Sequence, residues 1–317
     1  MRYLIMGAGA LGSVFGGLLS HAGRSVAFMG RGEHFARIKT QGLTIDGLWG
    51  EFHLGPVTTP DPASENLYDI ILLCVKSFDT EAACRLIAPY LAPEGLVVSV
   101  QNGLGNLEII AREFGEARTI GARVIFGAHI KRPGTVSVTV YADEVLLGAV
   151  SPSTPMDKLA AVAADLNAAG IPTRVVEDIL THIWGKVLYN CALNPLGAIL
   201  GVPYGALGDN PETRELMRRL IEEIYLVAAA KGVALSQPSA AAYFQHFLEK
   251  LVPPTAAHWP SMWQDLQAGR KTEIGALNGA ICRYGREAAV ATPYNDAISR
   301  LVRFLEKPPS GIAGKNE

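Results

Sequence analysis

Tyr3-Leu-Ile-Met-Gly7-Ala-Gly-Ala-Leu-Gly12-Ser-Val-Phe-Gly-Gly-Leu-Leu-Ser20 sets a short apolar run, a glycine turn and a helical pattern one after another. The continuous run Tyr3–Met6 fits a strand buried on both faces. A bare G-x-G-x-x-G says little, but with a strand before it and a helix after it the motif reads as a dinucleotide-binding turn. Its first glycine permits the tight turn. The second lets the backbone approach a pyrophosphate, and the third lets helix and strand pack closely. The free N–H groups and partial positive charge where the helix begins suit phosphate. Gly7, Ala8, Gly9, Ala10, Leu11 and Gly12 are therefore the candidate cofactor loop. The same stretch mimics a signal peptide or a membrane span, but its glycines would make a poor spanning helix. No other segment approaches the roughly 20 uninterrupted apolar residues that a span needs.

Outward from this loop, the first half alternates strands and helices. Val26–Met29, Ile70–Val75 and Leu96–Val100 read as further buried strands, with helical patterns near 10–22, 33–41, 79–89 and 105–114. That alternation predicts a parallel sheet flanked by helices. From Thr119 to Val150 the chain is strand-rich, and Lys131-Arg-Pro-Gly134 joins two runs that we expect to extend the same sheet antiparallel. A helix near 155–169 stops at Gly170. Beyond about residue 177 strands vanish, and helical patterns appear near 178–200, 211–231, 238–250, 260–268, 273–287 and 293–306. The expected organisation is an α/β Rossmann-type dinucleotide-binding domain over 1–172 and an all-α domain over 173–306. Ile171–Val176 would be the link, and 307–317 a tail.

Of the 317 residues, 49% are hydrophobic and 18% charged, which fits a well-packed globular protein with two sizeable cores. The formal charge is −2 and the basic residues are scattered, so neither nucleic acid nor an anionic membrane is an expected partner. Cys74, Cys84, Cys191 and Cys282 lie far apart without metal-ligand spacing. They read as reduced thiols of a cytoplasmic protein, and neither a disulfide nor a metal is expected. Apolar helices such as Ile221–Ala230 could bury against a second copy, making a homodimer.

The end of the second strand bears on the cofactor. NAD-binding chains place Asp or Glu there to hold the ribose 2′-hydroxyl, whereas this chain has Met29-Gly30-Arg31. A guanidinium pairs with a 2′-phosphate that a carboxylate would repel, which favours NADP(H). Arg31 as a solvated loop residue, with Lys39 or Arg37 in its place, is the other reading. Two more strand ends, Lys76-Ser77 and Gln101-Asn102-Gly103, point where open α/β sheets bind ligands. Asn-Gly is equally a plain turn signal.

In Trp184-Gly-Lys-Val-Leu-Tyr-Asn-Cys-Ala-Leu-Asn-Pro195, Lys186, Asn190 and Asn194 recur every four residues, so a helix stacks them on one face. The residues between are mostly apolar, and an ammonium cut into such a helix is costly unless something there needs it. The row reads as a site lining. Lys186 snorkelling to solvent is the alternative.

Taken together, Gly7–Gly12, Lys76, Gln101-Asn-Gly103, Trp184-x-Lys186-x-x-x-Asn190-x-x-x-Asn194-Pro195, Ser261-Met-x-Gln-Asp265 and Arg270-x-Thr-Glu-Ile274 resemble the ketopantoate reductase (2-dehydropantoate 2-reductase) family. The likeness covers nearly the whole chain. It implies a helical domain like the C-terminal domain of 6-phosphogluconate dehydrogenase, and NADPH-dependent reduction of a small 2-oxo acid. It also implies that Lys186 is the general acid and that Glu273 holds a substrate hydroxyl and helps to order the lysine. Asn190, Asn194 and Ser261 would contact substrate, Asn102 would lie near the nicotinamide and Lys186, and Arg31 and Lys76 would serve the cofactor. One position departs from the pattern: His258 stands where the pantothenate-pathway members commonly carry a substrate-binding Asn. It would either replace an amide hydrogen bond or mark another 2-oxo acid. A non-catalytic NADP(H) sensor on the same fold would need the glycine loop but not Lys186. Glu273 as a mere first-turn helix carboxylate is also open.

Overall fold

A computed structural model of the chain describes residues 1–61 and 67–307, so the tail expected at 307–317 lies, Lys307 apart, outside the described residues. The chain divides into two compact units, residues 1–101 with 105–180, and residues 102–104 with 181 onward.

The first unit runs β1 (Arg2–Met6), α1 (Ala10–His21), β2 (Ser25–Met29), α2 (Gly32–Gln41), β3 (Leu43–Gly47), β4 (Phe52–Leu54), β5 (Tyr68–Leu73), α3 (Thr80–Ile87) and β6 (Leu91–Ser99). It continues with α4 (Asn106–Phe114), β7 (Thr119–Arg123), β8 (Phe126–Arg132), β9 (Thr135–Tyr141), β10 (Val145–Ala149), α5 (Met156–Ala168) and β11 (Thr173–Val175). The main sheet has the order β11-β10-β7-β6-β5-β1-β2. From β2 to β7 its pairings are parallel, while β10 runs antiparallel to β7. Alternation along β1 explains why it is apolar throughout. Tyr3 and Ile5 join the core under α1 with Val14, Phe15 and Leu18, while Leu4 and Met6 join the opposite core with Ala83, Cys84 and Ile110. The chain turns to β2 on one side of β1 and to β5 on the other, so the glycine loop sits at the point where strand order reverses.

Two expectations are corrected here. The 131–134 hairpin does not extend the main sheet: β8 and β9 form a second sheet, β4-β3-β9-β8, in which β3 lies parallel to β9. Leu43 and Ile45 of β3 alternate with Thr44 and Asp46, and they meet Val136 and Val138 in the core beneath. The stretch 171–176 is not a free link either. Thr173–Val175 pairs with Val145–Leu147 as an edge strand, and the unit boundary falls after Leu180 rather than after Pro172.

The second unit is helical: α6 (Ile179–Leu200), α7 (Tyr204–Asp209), α8 (Pro211–Ala230), α9 (Ala240–His246), α10 (Ser261–Gln267), α11 (Asn278–Glu287) and α12 (Pro293–Glu306). Ile221, Ile224, Val227 and Ala228, expected as part of a partner surface, are buried in this unit's own core, and Leu226 is the exposed large side chain of that stretch. No helix among the described residues is long and apolar enough to cross a membrane.

His34 ties α2 to the second sheet. Its Nδ1 accepts from Gly134 N–H at 3.1 Å, so the ring proton lies on Nε2, 3.0 Å from Ser13 Oγ beside the glycine loop. Burial holds the pKa of His34 below its usual value. The neutral ring is therefore the native one, and its contribution is full above the unfolded value, about 6.5, and lost as pH falls through the lower folded value. We expect Tm to fall between about pH 7.5 and about pH 5.5 more steeply for the unmodified chain than for His34→Gln. Equal slopes in thermal unfolding would remove His34 from this role.

Candidate active site

The polar row lies on α6 as its spacing requires. Asn190 and Asn194 are nearly buried, while Trp184, Val187, Leu188, Cys191 and Leu193 fill the core around them. The helix continues through Pro195, which has no N–H to give to the carbonyl four residues back. Asn278 Nδ2 supplies that donor, 3.1 Å from Cys191 O, and also donates to Asn295 Oδ1 at 3.0 Å. Asn295 in turn donates to Glu223 Oε2 at 2.7 Å. The two Glu223 oxygens accept the Tyr294 and Asn295 amides at the start of α12, at 2.8 and 2.9 Å. A buried polar chain thus anchors the row's helix to α11, α12 and α8.

Lys186 Nζ donates to Asn102 Oδ1 at 2.6 Å, and Asn102 Nδ2 faces Glu273 Oε2 at 3.5 Å, the outer limit of a hydrogen bond. Asn102 reaches them because residues 102–104 dock on the 273–277 turn. Leu104 N donates to Ala276 O at 2.8 Å, and Gly103 lies against Ala276 with φ +83°. A Cβ at residue 103 would stand 2.5 Å from Ala276 O. The Asn-Gly pair therefore makes a turn and brings its carboxamide to Lys186 and Glu273 at once. The helix expected over 273–287 begins at Asn278. Around Gly275 the chain makes a wider turn, with Gly279 N bonding Ile274 O, so Glu273 does not belong to the first turn of a helix.

Asn102, Asn190, Asn194, Ser261 and Glu273 line one small recess, completed by Asp265. Ser261 begins α10 after Pro260, which packs where a Cβ on Gly197 of α6 would be, 2.6 Å away. Asp265 is buried and held by Arg270 Nε at 3.0 Å. Its spacing of four from Ser261 on a helix was the available signal for its place in the recess. Tyr204, buried at the start of α7, donates its hydroxyl to Asn194 Oδ1. Burial pushes the phenol pKa up, so it remains a donor. With Oδ1 taken, Asn194 offers a ligand its N–H donors. No local pattern announces Tyr204. His258 does not line the recess: its ring packs on Tyr204 with centroids 5.2 Å apart, and its carbonyl accepts from Tyr204 N at 3.1 Å.

On the first unit, Gly7 has φ +107°, and a Cβ there would meet Val75 N at 2.7 Å. Gly9, the residue capping α1, has open space within 4 Å, the clearance a pyrophosphate needs against a helix start. Arg31 precedes α2, and its Nη2 lies 2.5 Å from Asp79 Oδ2. Lys76 is exposed just beyond β5.

A glycine loop at the switch point of a parallel sheet, and a helical unit bearing a lysine–carboxamide–carboxylate cluster, define a dinucleotide-dependent oxidoreductase. The family described as Ketopantoate reductase PanE/ApbA matches residues 3–152, and its C-terminal counterpart matches residues 178–306. The chain belongs to the ketopantoate reductase family. It is 41% identical to the 2-dehydropantoate 2-reductase of Aquifex aeolicus, over 96% of this chain and 97% of that protein. It is 33% identical to the enzyme of that name from Pyrococcus horikoshii, over 98% and 99%. Among solved structures, a PanE/ApbA family ketopantoate reductase from Ralstonia eutropha superposes with a TM-score of 0.85 at 32% identity, covering 96% of this chain and 98% of that one. A D-mandelate dehydrogenase with NADH and anilino(oxo)acetate superposes with a TM-score of 0.86 at 28% identity, with the same coverage.

Gly103→Ala should lower stability by about 1–3 kcal/mol, since positive φ and a backbone collision act together. A denaturation midpoint unchanged from the unmodified chain would show that the 102–104 segment has room to spare.

Proposed function

We propose that this chain is a cytoplasmic NADPH-dependent reductase of 2-dehydropantoate, producing pantoate, with Lys186 as the proton donor. The observation that carries the reading is the Lys186–Asn102 contact, which sets an ammonium against a recess lined by carboxamides, a hydroxyl and two carboxylates. When bound, the nicotinamide supplies a hydride to the keto carbon. Negative charge then develops on the keto oxygen, where Lys186 stabilises it and delivers a proton. Glu273, an acceptor when ionised, suits the substrate hydroxyl, and through Asn102 it keeps the lysine in register. Asn190, the N–H donors of Asn194 and the Ser261 hydroxyl suit the substrate's polar groups, with Ser261 at the carboxylate. The amides of Gly9 to Leu11 at the start of α1 suit the pyrophosphate, and Arg31 and Lys76 suit the 2′-phosphate. The exposed Tyr294, Leu301 and Phe304 of α12 support a homodimer by offering an apolar face to a second copy.

Likeness to a D-mandelate dehydrogenase, and His258 packed against Tyr204, favour as second reading a different 2-oxo acid. A panel of 2-oxo acids decides between them. Highest kcat/KM with ketopantoate is expected, and a higher value with an aryl 2-oxo acid would select the second reading. Lys186→Ala should lower kcat by about 10²–10⁴-fold while NADPH binding, followed by fluorescence, stays nearly unchanged. An alanine variant that turns over normally would end the lysine's assignment. Tyr204→Phe should raise KM about three- to tenfold with kcat little changed, because it removes one hydrogen bond that orients a binding amide. A fall in kcat alone would contradict that.

A further inference from the structure

The guanidinium at the end of β2 is not unopposed. Arg31 Nη2 and Asp79 Oδ2 lie 2.5 Å apart, the arginine side chain 82% exposed and the aspartate 30%. Asp79 comes from a different loop, the turn Ser77–Asp79 that follows β5. The fold has little use for this pair. Exposed ion pairs contribute little to stability, and Asp79 makes no side-chain cap to α3 although it stands at that helix's N-cap position. What the pair does alter is the chemistry offered to a ribose.

In dinucleotide folds a carboxylate near the end of β2 accepts the 2′-hydroxyl, and an arginine there accommodates a 2′-phosphate. This chain brings one of each to the same place, the arginine from β2's end and the carboxylate from the β5 turn. A 2′-phosphate carries about −1.5 to −2 at neutral pH and must share the guanidinium with Asp79 while being repelled by it. A 2′-hydroxyl carries no charge and loses nothing from the carboxylate. We propose that Asp79 is a specificity-determining residue that holds down the preference for a 2′-phosphate, narrowing the gap between NADPH and NADH without reversing it. This rests on the assignment of Arg31 to the 2′-phosphate made above.

Calorimetric titration of the full chain with 2′,5′-ADP and 5′-AMP tests it without turnover. Asp79→Asn should tighten 2′,5′-ADP about fivefold at low salt and leave 5′-AMP within about twofold, the gain shrinking as salt screens the exposed charges. Arg31→Ala should weaken 2′,5′-ADP and leave 5′-AMP nearly unchanged. If Arg31→Ala has its effect but Asp79→Asn leaves 2′,5′-ADP unchanged or weaker, Asp79 is neutral or a prop for the arginine, and the proposal is overturned while the Arg31 assignment stands. If Arg31→Ala leaves 2′,5′-ADP unchanged, the Arg31 assignment falls and takes the proposal with it.

Discussion

The 2.6 Å contact between Lys186 Nζ and Asn102 Oδ1 is the constraint around which the candidate site is arranged. An ammonium on the inner side of an apolar helix needs an acceptor, and here it is a side chain 84 residues earlier in the chain. The carboxamide suits this place because one end accepts from the ammonium and the other can donate to the carboxylate of Glu273. An aspartate at 102 would lose the donor and set two carboxylates side by side. An apolar residue would serve neither group. The demand on Asn102 passes to its neighbours. Gly103 must approach the Ala276 backbone, and Leu104 must bond it, for the amide to sit where it does.

The same helix meets a second demand from inside its backbone. Pro195 removes the donor owed to Cys191 O, and an unsatisfied buried carbonyl costs about 1–3 kcal/mol. Asn278 meets that need, and is itself held by Asn295 and Glu223. Because Asn278 begins α11 directly after the turn that carries Glu273, the repair of α6 and the placement of the carboxylate share one segment. Lys186, Asn190 and Asn194 are thus kept on a continuous helix whose proline is compensated by a tertiary contact.

Legibility in the sequence followed the range of the interactions. The order β1, glycine loop, α1 could be read because every constraint in it is local, and the Lys186–Asn190–Asn194 row because helical pitch alone creates it. The destination of the β8–β9 hairpin could not be read, since its partner β3 is brought in by parallel pairing over a long stretch of chain. Thr173–Val175 is too short to stand out, and it is a strand by virtue of β10 beside it. Glu273 was recognisable by family likeness, but its escape from the helix depends on the turn around Gly275. Asp265 reaches the recess, and Tyr204 reaches Asn194, through tertiary packing. Tyr204 follows a proline with nothing in its neighbourhood to mark a hydrogen bond to Asn194.

The glycine loop shows how far even a local motif can be read. Gly7 and Gly9 fit the roles their positions suggest, a positive-φ turn and an open helix start. Gly12 divides its task differently. A Cβ there would collide first with Gly7 O at 2.1 Å and only then approach Ile5 at 3.1 Å, so it serves the closure of the turn itself. The close seating of α1 on the sheet falls instead to Gly16, where a Cβ would lie 2.5 Å from the Phe28 ring and 2.6 Å from Ile5. The fingerprint is thus one turn longer than its usual spelling. Its first part shapes the turn and leaves the start of α1 open, and Gly16 lets that helix lie down on β1 and β2.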